Sequence, residues 1–269
     1  MSTELITRFA PAPTGYLHLG HVLNAIHVWA LAKERGARVL LRIEDHDRMR
    51  SKPEYEASIR EDLGWLGFVP DAEAPPQSER GDRYSEVMAR LEARQLAYPC
   101  DCSRKEIAAD AGDVFNEEPR YPGRCRNRRL DPATTPARRI VMEPGAESFR
   151  DLILGPQSQS PADQCGDFLA RDRKGNWTYQ FAVTVDDFDQ GVDLVVRGED
   201  LLASTGRQIR LARLIGRARM PDFAHHPLIR TSGGAKLSKS DGATGIRELR
   251  AAGMSASGVL ALAADYTGP

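Results

Sequence analysis

Two pairs of residues, far apart in the chain, are of the right type to hold phosphate. His18-Leu-Gly-His21 follows Pro11, Pro13 and Gly15 and opens an amphipathic segment. Its imidazoles therefore sit at a helix N-terminus, where backbone N–H groups and the helix dipole already favour an anion. Gly15 and Gly20 remove side chains that would keep a nucleotide off the backbone. The second pair, Lys236 and Lys239, lies in Lys-Leu-Ser-Lys-Ser with Gly233, Gly234 and Gly242 on its flanks, the composition of a mobile clamp. Each stretch also has a plainer reading, a sharp strand-to-helix turn with two surface histidines and a glycine-rich loop. Further on, Cys100-Asp-Cys102 and Tyr121-Pro-Gly-Arg-Cys125 offer three thiols and a phenol from two short segments. Thiolates are good zinc ligands, but Cys-x-Cys is tighter than the usual spacing and tyrosine is a rare ligand, so zinc and three reduced buried thiols both remain open.

These groups need elements to position them. Leu5 to Ala10 is a short strand candidate, Gly20 to Arg35 a helix closed by Gly36, and Arg38 to Glu44 an apolar strand of the buried parallel kind. That is a βαβ unit. Pro53 to Gly67 and Arg83 to Gln95 read as helices, the first with proline in its opening turn. From Ala97 to about Gly166 the long elements give way to Pro, Gly and Arg with short apolar runs, the pattern of an inserted subdomain. Regular elements resume with Trp177 to Asp187, a strand from Val192 to Arg197, and a helix from Leu201 to Ile215. Strand ends at Arg8, Glu44 and Arg197 would then share one rim of one sheet, placing a cation, an anion and a cation where a small zwitterion could bind.

Composition bounds the possibilities. The chain has 269 residues, 41% hydrophobic and 28% charged, as in water-soluble globular proteins, with a formal net charge of -1. No overall basic signal exists, so any RNA contact must be local. The candidate patch is Arg120 to Arg139, which holds Arg120, Arg124, Arg126, Arg128, Arg129, Arg138 and Arg139 and could equally be a solvated loop. The longest apolar stretch, Val22 to Ala32, is broken by Asn24 and His27, and no leader pattern opens the chain, so we expect a cytoplasmic protein without a membrane partner. Four cysteines without a leader point away from a disulfide framework.

Taken together, the histidine and lysine motifs resemble the signatures of class I aminoacyl-tRNA synthetases, His-Ile-Gly-His and Lys-Met-Ser-Lys-Ser, with leucine for isoleucine and for methionine. The opening Arg8-Phe-Ala10-Pro-Ala12-Pro-Thr-Gly15 is similar to that of the glutamyl branch, which usually has serine where Ala12 stands. The resemblance runs from Ile6 to about Asp241. It implies an α/β, Rossmann-like class I aminoacyl-tRNA synthetase catalytic domain with an inserted zinc-binding subdomain. Residues 1–97 would be its first half and 98–166 an acceptor-binding-like insertion. Residues 167–269 would be the second half, with the lysine loop and a short C-terminal helical segment.

By the same resemblance, His18, His21, Lys236 and Lys239 are the catalytic set, and His18, Gly20, His21 and Lys239 contact ATP, accompanied by Mg2+. L-glutamate would lie among Arg8, Ala10, Ala12, Glu44, Tyr179 and Arg197. Arg8, Tyr179 and Arg197 would read its side-chain carboxylate and Glu44 its ammonium. Cys100, Cys102, Tyr121 and Cys125 match, one by one, a pattern that binds one structural Zn2+ in this branch, whereas Cys165 matches nothing and is expected to be packing. That Cys-x-Cys and Tyr-x-x-x-Cys pattern, together with the expectation that the stretch after the lysine loop is too short for helical domains that read an anticodon, resembles the glutamyl-queuosine tRNA(Asp) synthetases. That resemblance implies activation of L-glutamate without tRNA. The glutamate would then pass to queuosine in the anticodon stem-loop of tRNA(Asp), with a monomer as the working unit. The alternatives are a minimal glutamyl-tRNA synthetase that charges an acceptor end and a non-catalytic RNA- or nucleotide-binding regulator.

Overall fold

The computed structural model describes residues 4–111, 119–229 and 245–265. Buried side chains at Thr7 to Phe9, and at Val39 and Leu41, set β1 (Leu5–Phe9) and β2 (Ala37–Leu41) as parallel neighbours joined by α1 (Leu19–Arg35). Gly36 closes α1 at φ 64°, in the left-handed region that favours glycine. The strand expected over 38–44 is shorter, yet Arg42 N–H and Glu44 N–H still donate to Phe9 and Pro11 carbonyls at 3.0 and 3.1 Å, so the two chains stay side by side to the rim.

The chain continues through α2 (Pro53–Leu66), the two-residue β3 (Ala72–Glu73), α3 (Gly81–Ala93), β4 (Ala97–Pro99) and α4 (Arg104–Ala111). Then come β5 (Arg138–Ile140), the hairpin β6 (Glu147–Asp151) and β7 (Gly155–Gln159), the single turn α5 (Pro161–Gln164) and β8 (Phe168–Arg171). The last part holds α6 (Tyr179–Asp189), β9 (Leu194–Gly198), α7 (Thr205–Leu214), β10 (Asp222–His226), α8 (Ile246–Ala251) and α9 (Ala256–Asp265). The helix expected from Leu201 starts at Thr205, because Glu199–Ser204 winds as a 3-10 helix.

Seven strands form one sheet in the order β3-β2-β1-β9-β10-β6-β7, parallel except for the terminal β6–β7 hairpin. The strands β4-β5-β8 form a second, antiparallel sheet. The stretch 98–166 thus contributes to both sheets. Side chains alternate across a strand, and β9 shows the result: Leu194 and Val196 pack with α1, α2 and α9 on one face, whereas Val195 packs with Ile209 of α7 and Phe223 on the other. With both faces covered, the long sheet reads as an α/β open sheet. Its chain order reverses between β1 and β9, where ligands bind at the carboxyl ends of the strands.

Candidate active site

A cleft of about 420 Å³ opens at this switch point. It is lined from β1 and its loop by Arg8 and Ala10, from α1 by His18, Gly20, His21 and Asn24, and from α6 by Tyr179. The end of β9 adds Val196, Arg197 and Gly198.

The histidines act first on their own helix. His18 is the N-cap of α1: its Nδ1 accepts from Gly20 N–H at 3.1 Å, and His21 Nδ1 accepts from His18 N–H at 3.1 Å. This is a capping box made of imidazoles. An imidazole that accepts at Nδ1 while neutral carries its proton on Nε2, so both rings present an Nε2–H donor. The rings lie 3.9 Å apart, and a Cβ on Gly20 would come within 3.0 Å of the His18 ring, so glycine is what lets that ring fold back.

On the amino-acid side the buried charges form a chain. Glu44 accepts from Arg42 at 3.1 Å, Arg42 donates to Asp187 at 2.8 Å, and Asp187 accepts from Arg8 Nε at 3.0 Å. Burial pushes the Asp187 carboxyl up, but Arg8 and Arg42 outweigh it and hold it down at about 2. Burial raises Glu44, only partly offset by Arg42 and Arg8. Arg197 differs, because His225, Gln208 and Thr205 take its three kinds of N–H at 3.0, 2.7 and 2.8 Å. Tyr179 is pushed up to about 12 by burial and by the charge of Glu44.

The structure therefore brings Arg8, Ala10, His18, Gly20, His21, Tyr179 and Arg197 to one cleft. Glu44 and Ala12 are outside its lining, with Glu44 4% exposed behind the rim and tied to Arg42. Lys236 and Lys239 lie outside the described residues. Ile229, on the near side of that stretch, lines the cleft, and Gly245, on the far side, bridges His18.

Sequence reading passes over Arg42, Asp187, Asp151 and His225. The signal for Arg42 is a charge inside Val39-Leu-Leu-Arg-Ile43, since a charged residue in a buried strand needs a partner. For Asp187 it is a second acid directly after the apolar run Phe181 to Val185.

In the second sheet's lobe, the sulfurs of Cys100, Cys102 and Cys125 lie within 4.8 Å of one another. The Tyr121 hydroxyl is 3.4 Å from Cys100 Sγ and 3.8 Å from Cys102 Sγ, so all four expected ligands converge. Gly166 holds Tyr121 in place: at φ 64° its would-be Cβ meets the Tyr121 carbonyl oxygen at 2.0 Å. Burial pushes the Cys102 thiol up to about 12, helped by its hydrogen bond with Cys125. Burial also opposes ionisation of Cys100, but the Tyr121 hydroxyl and the Arg139 guanidinium outweigh it and lower that thiol. Three sulfurs and one phenol oxygen at these separations fit a tetrahedral soft-metal site. Cys165 is elsewhere, buried against Pro161. Four of the seven arginines of that stretch pair within the chain, two of them at the surface: Arg124, Arg126, Arg128 and Arg138 pair with Asp110, Asp167, Asp101 and Glu92. Those charges are already matched, which leaves the stretch less of an RNA surface than its composition implies.

Residues 4–261 match the family model of tRNA synthetases class I (E and Q), catalytic domain. The chain belongs to that family. It is a ligase family, and a glutamyl-Q tRNA(Asp) synthetase of Symbiobacterium thermophilum is 43% identical over 93% of this chain and 83% of its own. That of Geobacter sulfurreducens is 45% identical over 89% and 76%. Among solved structures, the glutamate-tRNA synthetase of Elizabethkingia anophelis superposes with a TM-score of 0.77 at 33% identity. The match covers 89% of this chain and 53% of that one, so the chain spans about half that enzyme's length. Among the described residues, no helix is long and apolar enough to cross a membrane.

Proposed function

We propose that this synthetase-family chain activates L-glutamate with ATP, without tRNA, and passes it to queuosine in the anticodon stem-loop of tRNA(Asp). The observation that carries the activation step is one cleft holding two buried arginines beside a histidine-capped helix terminus. Arg8 and Arg197, 3% and 4% exposed, present planar forks suited to a carboxylate. Glutamine would leave part of that donor set unpaired and bury a charge without its partner, a strong ground for rejection.

Glutamate, held by its side chain, attacks the α-phosphorus of ATP through its α-carboxylate. One carboxylate oxygen–phosphorus bond forms and the bond to pyrophosphate breaks. The nucleophile is already ionised, so no general base is needed and rate comes from position and from charge stabilisation. The Nε2–H groups of His18 and His21, with the α1 N-terminus, answer the charge that builds on the phosphates. Lys239, with Lys236 and Mg2+ bound to ATP, completes that set. The resemblance would assign the ammonium of glutamate to Glu44, acting from behind the rim where it is tied to Arg42. A Zn2+ held by Cys100, Cys102, Tyr121 and Cys125 is structural, since four protein ligands leave no open position.

The 43–45% identity to glutamyl-Q tRNA(Asp) synthetases supports the queuosine acceptor. In this reading the protein acts in the cytoplasm as a monomer that docks a single stem-loop. Labelled glutamate, ATP and queuosine-containing tRNA(Asp) test it: after nuclease digestion the label should sit in the anticodon fragment. Label on the terminal adenosine would make this an acceptor-charging enzyme instead.

A further inference from the structure

Arg197 is a buried cation whose hydrogen-bond acceptors are all neutral, and the residue that keeps them so lies two strands away. In the parallel register of β9 and β10, His225 stands directly beside Arg197. Arg197 Nε–H donates to His225 Nε2 at 3.0 Å, which requires a lone pair on that nitrogen. The proton must then be on Nδ1, which faces Asp151 Oδ2 at 2.5 Å. Asp151, at the end of β6, is held as a carboxylate by backbone N–H groups of Ile153 and Leu154 at 3.0 and 2.9 Å and of His225 at 3.2 Å. Thr205 Oγ1 accepts from Arg197 and lies 3.2 Å from the same His225 Nε2. Both members of the dyad are sealed, His225 at 0% and Asp151 at 1% exposure.

We propose that Asp151 and His225 are positioning residues that aim Arg197 at the substrate carboxylate while leaving its charge unneutralised. This rests on the glutamate-binding reading above. Arg8 shows the alternative, since its Nε is matched by the carboxylate of Asp187. A carboxylate in the place of His225 would hold Arg197 as firmly but would compete with the substrate for its charge. A neutral imidazole does not compete, and it accepts from Arg197 in only one tautomer. Asp151 selects that tautomer. In the other, Nε2–H would face Arg197 Nε–H, donor against donor. A protonated ring would do the same, and burial together with the charge of Arg197 holds His225 down at about 4, so it is neutral at physiological pH.

The test is steady-state pyrophosphate exchange on three variants, together with 15N NMR of the wild-type imidazoles. Asp151→Asn frees the ring to take the wrong tautomer and should raise the glutamate KM roughly 10- to 100-fold, the range for a lost charge-assisted hydrogen bond, with the ATP KM unchanged and kcat moved less. His225→Leu should match it. His225→Gln offers an acceptor near the position of Nε2 and should recover much of the loss. In the wild type, His225 should show a protonated Nδ1 and an unprotonated Nε2. An Nε2–H tautomer, an unchanged glutamate KM in Asp151→Asn, or equal loss of ATP and glutamate binding would each overturn the proposal. If Asp151→Asn does not fold, the His225→Gln and His225→Leu pair and the wild-type spectrum decide. Wild-type protein with no glutamate-dependent exchange would defeat the functional reading instead, and the tautomer would still be read directly.

Discussion

At the cleft and just behind it, the buried cations Arg8, Arg197 and Arg42 each meet an anion or a neutral acceptor that the chain itself supplies. In the lobe of the small sheet, three thiols and a phenol meet one another, with Arg139, Arg128 and Asp101 at the cluster's edge. The first arrangement is wired by the chain's own acceptors, and it sits on a sheet covered by helices on both faces. The second is a small cluster at one side of its sheet: Cys100, Cys125 and Tyr121 are half of its six buried members, beside Tyr98, Ile107 and Val141, whereas Ala97, Ile140, Phe168 and Ala170 of the same strands pack with α3 and α6. A cluster that small depends on what its polar atoms bind. The cleft is therefore organised around buried charge on a sheet covered on both faces, and the lobe around a thiol cluster that could hold a metal.

Removing metal should separate the two regions most visibly. Structural zinc contributes on the order of 10 kcal/mol in small domains, so a strong chelator should unfold the lobe, seen as a lower melting transition, while activation persists below that temperature. A chelated protein of unchanged melting temperature would reject the structural metal. Next in size, His18→Ala should slow activation by roughly 100-fold, as loss of a transition-state charge contact does, while removing one helix cap lowers stability by only about 1 kcal/mol. Cys125→Ser should do the reverse, and that double dissociation is readable by exchange assay and thermal melt.

On the cleft side, Asp187→Asn isolates one buried carboxylate. Its folded value of about 2 against 3.8 makes the ionised form stabilising above pH 3.8, by on the order of 2 kcal/mol. That contribution fades as pH falls towards 2, so denaturant melts of the variant and the parent should differ at pH 7 and converge in strong acid. The smallest effect is a slope. His27 and His225 are both lowered from 6.5 to about 4, burial being the main cause, so the unfolded chain binds protons in that window and the folded one does not. Stability should rise with pH between about 4 and 6.5, and a flat melting temperature there would contradict buried neutral histidines.

Much of this is legible in the sequence. Gly36, Pro53 and Gly67 mark their helix ends, because capping is local chemistry. His18 and His21 fall at a helix terminus by spacing alone, and the cysteines come together from two short motifs. The wiring behind the site stays hidden. Asp151 and His225 are 74 residues apart, and only the sheet order β9-β10-β6 makes them neighbours of Arg197. Nor does spacing show that most arginines between 120 and 139 face carboxylates from other segments.

Whether the cleft activates glutamate by itself is the deciding question. Pyrophosphate exchange into ATP, measured on RNA-free protein with glutamate, glutamine or no amino acid, answers it directly. Exchange dependent on glutamate, and much weaker with glutamine, is the predicted result. Exchange that appears only after tRNA is added, or is equal for the two amino acids, would contradict it.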